Sequence, residues 1–374
     1  MAISPKTRCI VWAKAAGRCQ FPGCNEILIG DLQAGNDTLN AGYVAHIVAG
    51  KPGGPRGHPA RSAELVDDPK NLMLMCDPHH RLIDRDELDN YPEMRLLQIK
   101  HECETRVELA TSLSPDKASH VVRYAATIGQ NEGAVGFTKC REVMLPDFYP
   151  ANRTPIDFSM SGLDLADNEP GYFKAQARNL ERQFNARLRG EVERQTVNHI
   201  SVFALAPIPL LMELGRLISD ITPAEIHQPH REPSGWKWAN SGDRLAFEIR
   251  KPANLKGPVA LKLGVSSHIS DERIRAVLGD EVSIWSLSVT QPHNDCMRYR
   301  EDLEVFRSQA RSMLAAIKQA HGENETINVF PALPVSAAIE FGRIWMPKAD
   351  LPIRIYDQSR ADGGFIYSLS LGEG

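Results

Sequence analysis

The 374-residue sequence contains no apolar run that approaches the roughly 20 residues needed for a membrane-spanning helix. The opening stretch MAISPKTRCIVWAKAAGRCQ has neither the long apolar segment nor the small-residue cleavage site of a signal peptide. We therefore expect a cytoplasmic protein with no membrane partner. A strong net charge is also missing, since 43 Lys and Arg stand against 47 Asp and Glu. The net charge of −4 thus gives no overall indication of a nucleic-acid partner.

Cysteine is scarce, and its seven copies are an odd number in a compartment where disulfides are disfavoured. Cys19 and Cys24 flank the turn CQFPGC, and the segment CDPH places Cys76 and His79 two residues apart. Together they form the Cys3His set that is typical of tetrahedral Zn2+ sites. The alternative is four unrelated residues, because cysteine is often only a small buried side chain. The two closely spaced pairs favour a structural Zn2+ site.

A second histidine, His80, remains once His79 is assigned to zinc. Asp84 would share its face of a helix if HHRLIDRDEL begins one. Upstream, AGYVAHIVAG predicts a strand around His46, and Asn71 opens the segment NLMLMCDPHH. His46, Asn71 and His80, in this order beside a zinc knuckle, resemble the HNH nucleases of the ββα-metal fold.

This resemblance covers roughly residues 8–105 and implies a division of labour. His46 would be the general base that deprotonates water, because imidazole titrates near neutrality, and Asn71 would orient it. His80 would hold Mg2+ or a similar divalent cation beside the DNA phosphate. The alternative for His46 is a buried histidine that is merely hydrogen-bonded.

The metal shell implied by the resemblance is incomplete in this sequence. Ala45 stands where many relatives have a metal-binding aspartate. Asp84 is the candidate replacement as a Mg2+ ligand, and a solvated carboxylate in the first turns of a helix is an equal alternative.

Contacts to DNA must be local, because residues 1–111 carry two more acidic than basic residues. The segment GKPGGPRGHPAR, residues 50–61, contains Lys51, Arg56 and Arg61 and no acidic residue. Its glycines would let the backbone approach phosphate closely. An ordinary surface loop looks similar, but the position after His46 favours a substrate role. Nothing indicates base reading, so we expect cleavage with little sequence preference.

The rest of the chain contains an internal repeat, after a Pro- and Ser-rich region at 112–154 that we expect to be linker and connecting structure. HISVFALAPIPLLMELGRL at 199–217 aligns without gaps on TINVFPALPVSAAIEFGRI at 326–344. The same offset of 127 places FSMS at 158–161 on WSLS at 285–288.

Each repeat, about 155–250 and 282–374, reads as strand, helix, strand, helix. Such alternation predicts a parallel sheet with ligands beyond the carboxyl ends of its strands. Two halves of this kind would form a pseudo-twofold cleft. A cyclic nucleotide, which is itself nearly twofold, would suit that cleft.

The pattern NVFPALPVSAAIEFGRIWMPKADLPIRIYDQ at 328–358 resembles the SAVED sensor domains, which are fused pairs of CARF-like Rossmann units. The resemblance covers roughly 155–374. With an HNH domain at 1–111, it is similar to the effector nucleases of bacterial anti-phage signalling by cyclic oligonucleotides (CBASS). The implied fold is an α+β zinc-stabilised ββα-metal domain followed by an α/β SAVED domain of two Rossmann-like repeats.

The implied function is a metal-dependent endonuclease that degrades double-stranded DNA in anti-phage defence. Its activating ligand would be a cyclic di- or oligonucleotide made by a partner nucleotidyltransferase. Since the ligand cannot complete a nuclease site so distant in sequence, we expect it to act by enlarging a homo-oligomer.

The residues that would contact this ligand are harder to select from sequence. Loops after the strands, including TQPHND at 290–295, would line the cleft. Side chains that could stack on bases or bind phosphate, together with one turn position, are Trp236, Lys237, Trp238, Pro331, Lys348, Arg354 and Tyr356. Each of these is also typical of core or ordinary surface. Arg216 and Arg343 recur with the repeat, and helix packing and capping explain them equally well.

Two other functions compete with this interpretation. One is a non-catalytic, zinc-stabilised DNA-binding regulator that is controlled by a nucleotide-sensing domain, and Ala45 keeps it open. The other is a sensor that hydrolyses its own ligand. It ranks last, because the matching repeat positions contain no paired acid and base.

Overall fold

A computed structural model describes residues 3–31, 36–125, 136–160, 169, 171–194, 196–359 and 363–371. The chain divides into two compact units, Met1–Ser114 and Pro115–Gly374, which are described separately below. Among the helices described, none has the length and apolar character needed to cross a membrane.

The first unit is built from short elements around a small core. Its helices and strands are α1 (Pro5–Lys14), β1 (Ile29–Asp31), β2 (Asn36–Asn40), β3 (Tyr43–His46), α2 (Ser62–Leu65), β4 (Leu72–Met75), α3 (Asp77–Arg81) and α4 (Glu93–Thr111). Helix α1 begins where the Ser4 hydroxyl accepts a hydrogen bond from the Thr7 amide at 3.2 Å, with Pro5 in the first turn. Its buried face packs with the fully buried strand β4 and with Leu96 of α4.

The centre of this unit is a hairpin followed by a helix. Strands β3 and β4 are antiparallel, with Tyr43 opposite Met75 and His46 opposite Leu72. Helix α3 starts two residues after β4 ends, and a π-helical turn, Leu82–Asp86, continues it. This order places His46 at the end of one strand, and both adjacent histidines on the helix that follows the other.

The described part of the second unit contains two large sheets and the small hairpin of β10 and β11. Its elements are β5 (Ala118–Ala125), α5 (Phe137–Met144), β6 (Tyr149–Pro150), β7 (Ile156–Ser159), α6 (Tyr172–Phe184), α7 (Gly190–Glu193), β8 (Ile200–Leu205), α8 (Ile208–Ile218), β9 (Ala224–Ile226), β10 (His230–Arg231), β11 (Ser234–Gly235), β12 (Phe247–Arg250), β13 (Val259–Gly264), α9 (Asp271–Leu278), β14 (Ser283–Val289), α10 (Arg300–His321), β15 (Ile327–Ala332), α11 (Val335–Ile344), β16 (Ile353–Ser359) and β17 (Gly364–Leu371). One sheet has the order β6-β5-β8-β9, with β7 also on β5, and the other β12-β14-β13-β15-β16-β17.

The two sheets share one parallel arrangement. Strands β7-β5-β8-β9 in the first sheet correspond to β14-β13-β15-β16 in the second, and all these neighbours are parallel. Elements β7, α6, β8 and α8 therefore have counterparts in β14, α10, β15 and α11, at the offset of the sequence repeat. The structure thus contains the repeated strand–helix–strand–helix unit.

Residues 112–154 differ from the expected linker. They contain β5, which lies inside the first sheet between β7 and β8, and helix α5. Each half begins one strand and one helix earlier than 155 or 282, at β5 and β13. The sequence repeat missed these strands because more residues separate β5 from β7 than separate β13 from β14, so a constant offset cannot align them.

Helices α8 and α11 meet at the glycines of the repeat. A Cβ atom added to Gly215 would lie 1.9 Å from the carbonyl oxygen of Ile339, and one added to Gly342 would lie 1.9 Å from that of Met212. The two contacts are reciprocal, as a pseudo-twofold arrangement requires. Only glycine permits this backbone approach, which explains why both repeats have glycine here.

Candidate functional site

The first unit brings together the four residues of the Cys3His set. One ligand atom from each of Cys19, Cys24, Cys76 and His79 lies within 4.8 Å of the others. The Nδ1 atom of His79 is 3.0 Å from the sulfur of Cys76 and 3.7 Å from that of Cys19. The ring of His79 stacks on Phe21 with centroids 4.0 Å apart, which holds the imidazole toward the sulfurs.

The chemistry of this donor set fits a bound cation. Burial raises the pKa of Cys19, and burial together with the neighbouring Cys19 raises the pKa of Cys76 to about 12. The thiols of Cys19 and Cys76 therefore resist becoming thiolates unless a positive charge compensates them. Three sulfurs and one imidazole nitrogen are the closed ligand set of structural zinc sites.

The orientation of His46 leaves one ring nitrogen available. Its Nε2 atom lies 3.0 Å from the carbonyl oxygen of Val66. Because a carbonyl only accepts, Nε2 carries the proton in this contact, and Nδ1 of the neutral ring keeps its lone pair. The half-buried His46 therefore presents a proton acceptor from the end of β3.

Asn71 acts on His46 through the backbone. Its amide is 4 % exposed, and its Oδ1 accepts from the Val48 amide at 2.8 Å. Its Nδ2 donates to the carbonyls of Val48 at 2.8 Å and of Leu65 at 3.1 Å. These bonds fasten both ends of the segment after β3, and the carbonyl that holds His46 belongs to the residue after Leu65.

Asp84 lies between two partners. Its Oδ2 atom is 3.3 Å from Nε2 of His80, and its Oδ1 pairs with the guanidinium of Arg56. Burial favours the neutral acid, but hydrogen bonds from His80 and Arg56 outweigh it and hold the pKa of Asp84 below its ordinary value. The partly buried carboxylate thus has one oxygen facing Arg56 and the other facing His80. The ring of His80 also stacks on Tyr43, with centroids 5.0 Å apart.

The three cations of the loop at 50–61 have different surroundings. The Arg56 side chain is 8 % exposed and faces the protein interior. Arg61 forms an exposed pair with Glu93 at 2.8 Å, and Lys51 is exposed. Of the expected phosphate-binding trio, Arg56 is therefore part of the framework. The sequence could not reveal this, because the partner Asp84 is distant along the chain.

The seven ligand-binding candidates of the second unit are not gathered at one place. Tyr356 is buried against Phe330, with ring centroids 4.7 Å apart, and Pro331 is paired within the sheet. Arg354 and Lys348 are exposed on β16 and on the turn after α11, and Trp236 packs edge-on against the core residue Phe203.

Lys237 and Trp238, the remaining two, line a common cavity of about 310 Å³. The indole of Trp238 donates to Glu225 at 3.0 Å, and Arg300 bridges Glu225 and Asp147. His227 also lines this cavity.

Buried polar groups of the repeat have structural roles. Arg343 is 3 % exposed and donates to Glu340 and to the carbonyls of Ser219 and Thr222. Arg216 pairs with Glu213 on its own helix, so both repeated arginines have structural partners, and Arg343 also caps carbonyls. His227 differs, since neither ring nitrogen has a hydrogen-bond partner. Burial lowers the pKa of His227 to about 3, so the ring is neutral.

A larger cavity of about 590 Å³ lies at the carboxyl ends of β13 and β14. Its lining includes Arg250, Lys262, Gly264, Ser286, Ser288, Thr290 and Pro292. Arg250 and Lys262 both pair with Asp271 at the start of α9. Thr290 and Pro292 come from the loop expected at this cleft. Arg250 and Lys262 were not predicted, although a lysine inside the apolar strand VALKLG is unusual and could have indicated the site.

Comparisons with known proteins concern mainly the second unit. Residues 180–371 match the family described as the SMODS-associated and fused to various effectors sensor domain, SAVED. No curated protein matches the sequence.

Three solved structures illustrate the similarity. The Acinetobacter baumannii Cap4 SAVED/CARF-domain containing receptor with the cyclic trinucleotide 2'3'3'-cAAA is 12% identical, with a TM-score of 0.43, over 83% of this chain and 66% of that chain. The same receptor without a named ligand is 13% identical, with a TM-score of 0.41, over 83% and 65%. The Moraxella osloensis Cap4 receptor is 11% identical, with a TM-score of 0.40, over 76% and 62%. The chain thus spans just under two thirds of the length of these receptors.

The family match covers just over half of the chain and runs from the last residues of α6 to β17. It therefore contains the later elements of the first half, from α7 to β9, and all of the second half. The chain belongs to the SAVED sensor-domain family.

Proposed function

We propose that the protein is an anti-phage effector in which a cyclic oligonucleotide, bound by the SAVED domain, activates a metal-dependent DNA endonuclease in the first unit. Membership of a sensor family supports the first half of this proposal. The observation that supports the second half is the hairpin–helix arrangement, in which His46 ends β3 and His80 follows the Cys3His residue His79 on α3.

In this proposal, Nδ1 of His46 takes the proton from the attacking water. The Val66 carbonyl fixes the ring so that its lone pair stays available, and Asn71 keeps that carbonyl in place. His80 would hold a divalent cation such as Mg2+, and this cation would neutralise negative charge on the phosphate. Cys19, Cys24, Cys76 and His79 would hold Zn2+ as a structural ion.

We assign the ligand to the 590 Å³ cavity. Ligands of parallel α/β sheets bind beyond the carboxyl ends of the strands, and this cavity lies at two such ends. Arg250 and Lys262 supply positive charge, and a ligand phosphate would compete with Asp271 for it. The cavity beside Trp238 is the second candidate, because an indole can stack on a base.

The decisive experiment incubates purified protein with plasmid DNA and Mg2+ and a panel of cyclic di- and trinucleotides. We expect cleavage with one or more ligands, and His46→Ala should lower the rate by roughly 10²- to 10⁴-fold, the usual contribution of a general base. His101→Ala, an exposed histidine on α4, is the matched control and should cleave normally. Intact plasmid with every ligand, while the protein still binds DNA, would favour the non-catalytic regulator instead.

The adjacent histidines give a second test of the metal assignments. His79→Ala should lose zinc and destabilise the first unit, whereas His80→Ala should retain zinc and lose Mg2+-dependent cleavage. Elemental analysis of both variants checks this, and the reverse pattern of zinc contents would exchange the two roles.

Binding isotherms with an activating cyclic nucleotide distinguish the two cavities. Lys262→Ala should weaken binding by about 10- to 100-fold, since a charge-assisted hydrogen bond contributes about 1.5–3 kcal/mol. Lys237→Ala should bind normally. The opposite result would move the ligand to the cavity beside Trp238.

Control of the nuclease would operate through assembly. A ligand shifts an equilibrium only by its differential affinity for two states, so a tight activator implies an active state that holds it better. We expect a larger homo-oligomer at the ligand concentration that activates cleavage of double-stranded DNA. Light scattering across a titration measures this, and full activation at constant mass would exclude assembly.

A further inference from the structure

We propose that Asp84 and Arg56 are positioning residues, not metal ligands, and that they hold His80 with its proton on Nε2 so that Nδ1 is the atom offered to the divalent cation. This inference rests on the proposed nuclease function. The Arg56–Asp84 ion pair takes no part in the Cys3His cluster or in the role of the general base, and this inference gives it a function.

Arg56 connects two parts of the proposed site. Its Nε donates to the carbonyl of Ile47 at 2.6 Å, directly after the base-bearing strand, and its Nη1 donates to the carbonyl of Ile83 at 2.7 Å. Its backbone has a φ of 53°, a left-handed conformation that is uncommon for residues other than glycine. A residue keeps such a conformation only when its surroundings hold it, and the buried guanidinium provides those contacts.

Asp84 is held in turn by Arg56. It lies in the π-helical turn that continues α3, four residues after His80. Turns of this kind inside helices are frequent at functional sites. Since one carboxylate oxygen faces the guanidinium and the other faces His80, a cation bound directly to Asp84 would have to displace one of them and approach the positive charge of Arg56.

The contact to Asp84 defines the tautomer of His80. An ionised carboxylate only accepts hydrogen bonds, so the Nε2 atom at 3.3 Å must donate. When the ring is neutral, its lone pair is then on Nδ1. A carboxylate on the far nitrogen of a metal-binding histidine fixes the ring orientation and raises its basicity, and the loss of such a partner typically lowers metal affinity 10- to 100-fold.

Stacking on Tyr43 restricts the same ring from its face. The imidazole is therefore constrained by Asp84 at one edge and by Tyr43 over its plane. Among the described residues, no hydrogen-bond partner contacts Nδ1 of His80. This geometry also explains how the site operates with Ala45, because the carboxylate near the cation orients a ligand instead of being one.

The test measures Mn2+ binding to the full-length protein. Electron paramagnetic resonance gives the Mn2+ affinity, and ¹⁵N spectra report the state of the histidine rings. In the wild type, His80 should show the Nε2–H tautomer, and Mn2+ should broaden its Nδ1 signal first. Asp84→Ala should lower Mn2+ affinity 10- to 100-fold and release the tautomer. Asp84→Asn, which keeps an acceptor for Nε2, should recover part of both.

Asp77→Asn is the matched control. Asp77 pairs with Arg81 at 2.7 Å on the same helix, but at the exposed surface, so its loss should leave Mn2+ affinity unchanged. Zinc content reports whether each variant is folded. Arg56→Lys should retain the charge but lose the forked contacts, and it should weaken Mn2+ binding less than Asp84→Ala.

Two results would overturn the inference. One is normal Mn2+ binding in His80→Ala combined with its loss in Asp84→Asn, which would make Asp84 the ligand. The other is a wild-type His80 signal that Mn2+ does not affect. Absence of DNA cleavage with normal Mn2+ effects on His80 would refute the nuclease function and leave the assigned geometry intact.

Discussion

The two units of the chain bury apolar surface on very different scales. In the first unit, the main buried cluster contains 15 of the residues described, and the paired strands form two-stranded sheets. In the second unit, the main buried cluster contains 50 of the residues described. Its strand residues lie on one face of each of the two larger sheets. A small core supplies little net stability, so we expect the first unit to depend on a metal held by its Cys3His cluster, and the second on the packing of its repeats.

Removal of the metal should produce the largest contrast between the units. Cys76→Ser, or treatment with a strong zinc chelator, should unfold the first unit, because metal binding in small zinc domains contributes on the order of 10–16 kcal/mol of folding free energy. The unfolding transition of the second unit should remain. Calorimetry measures both transitions.

Cys9→Ser is the control for this experiment, because Cys9 is an exposed cysteine of the same unit. It should leave both transitions unchanged. An unaltered first transition after complete loss of zinc would contradict the proposed dependence on metal.

A change at the helix crossing should affect the second unit alone. Gly342→Ala introduces a Cβ atom 1.9 Å from the Met212 carbonyl oxygen, so α8 and α11 must separate. We expect a loss of at least about 1–3 kcal/mol, the usual cost of overpacking. Gly235→Ala is the control, because no atom lies within 4 Å of the added Cβ. Denaturant unfolding of the two variants checks this, and equal midpoints would show that the helices adjust freely.

Acid should destabilise the second unit by a smaller amount. His199 stacks on Phe148 at 3.9 Å, and burial, followed by the charges of Arg343 and Lys117, lowers its pKa to about 4. In the unfolded chain its pKa is about 6.5. Between these values the unfolded state binds the proton and the folded state does not, so stability is lost as the pH falls from about 6.5 toward 4.

For the half-buried His199 we expect about 1–2 kcal/mol of this effect after allowance for solvent screening. His199→Asn should therefore flatten the acid limb of the stability curve, measured as the denaturation midpoint against pH. His101→Asn, exposed in the first unit, should not alter it. An unchanged slope in His199→Asn would assign the acid sensitivity to other groups, of which the buried His227 is the next to examine.

Sequence reasoning succeeded for features that depend on local spacing. The pairs Cys19/Cys24 and Cys76/His79 were selected from their separations, and the structure places all four together. It was less successful where a partner comes from a distant segment. Arg56 was expected at phosphate and is buried against Asp84, and Lys262 escaped notice because its cavity forms only when three strands align.

Ligand spacing and apolar periodicity are properties of short segments, so the Cys3His set, the order of His46, Asn71 and His80, and the repeated strand–helix units could be recognised without a structure. Three features required the folded chain: the position of β5 inside the first sheet, the partly buried pair of Arg56 and Asp84 next to His80, and the polar side chains that face a cavity. Burial and ion pairing depend on atoms brought together from distant parts of the chain, and no short segment records those distances.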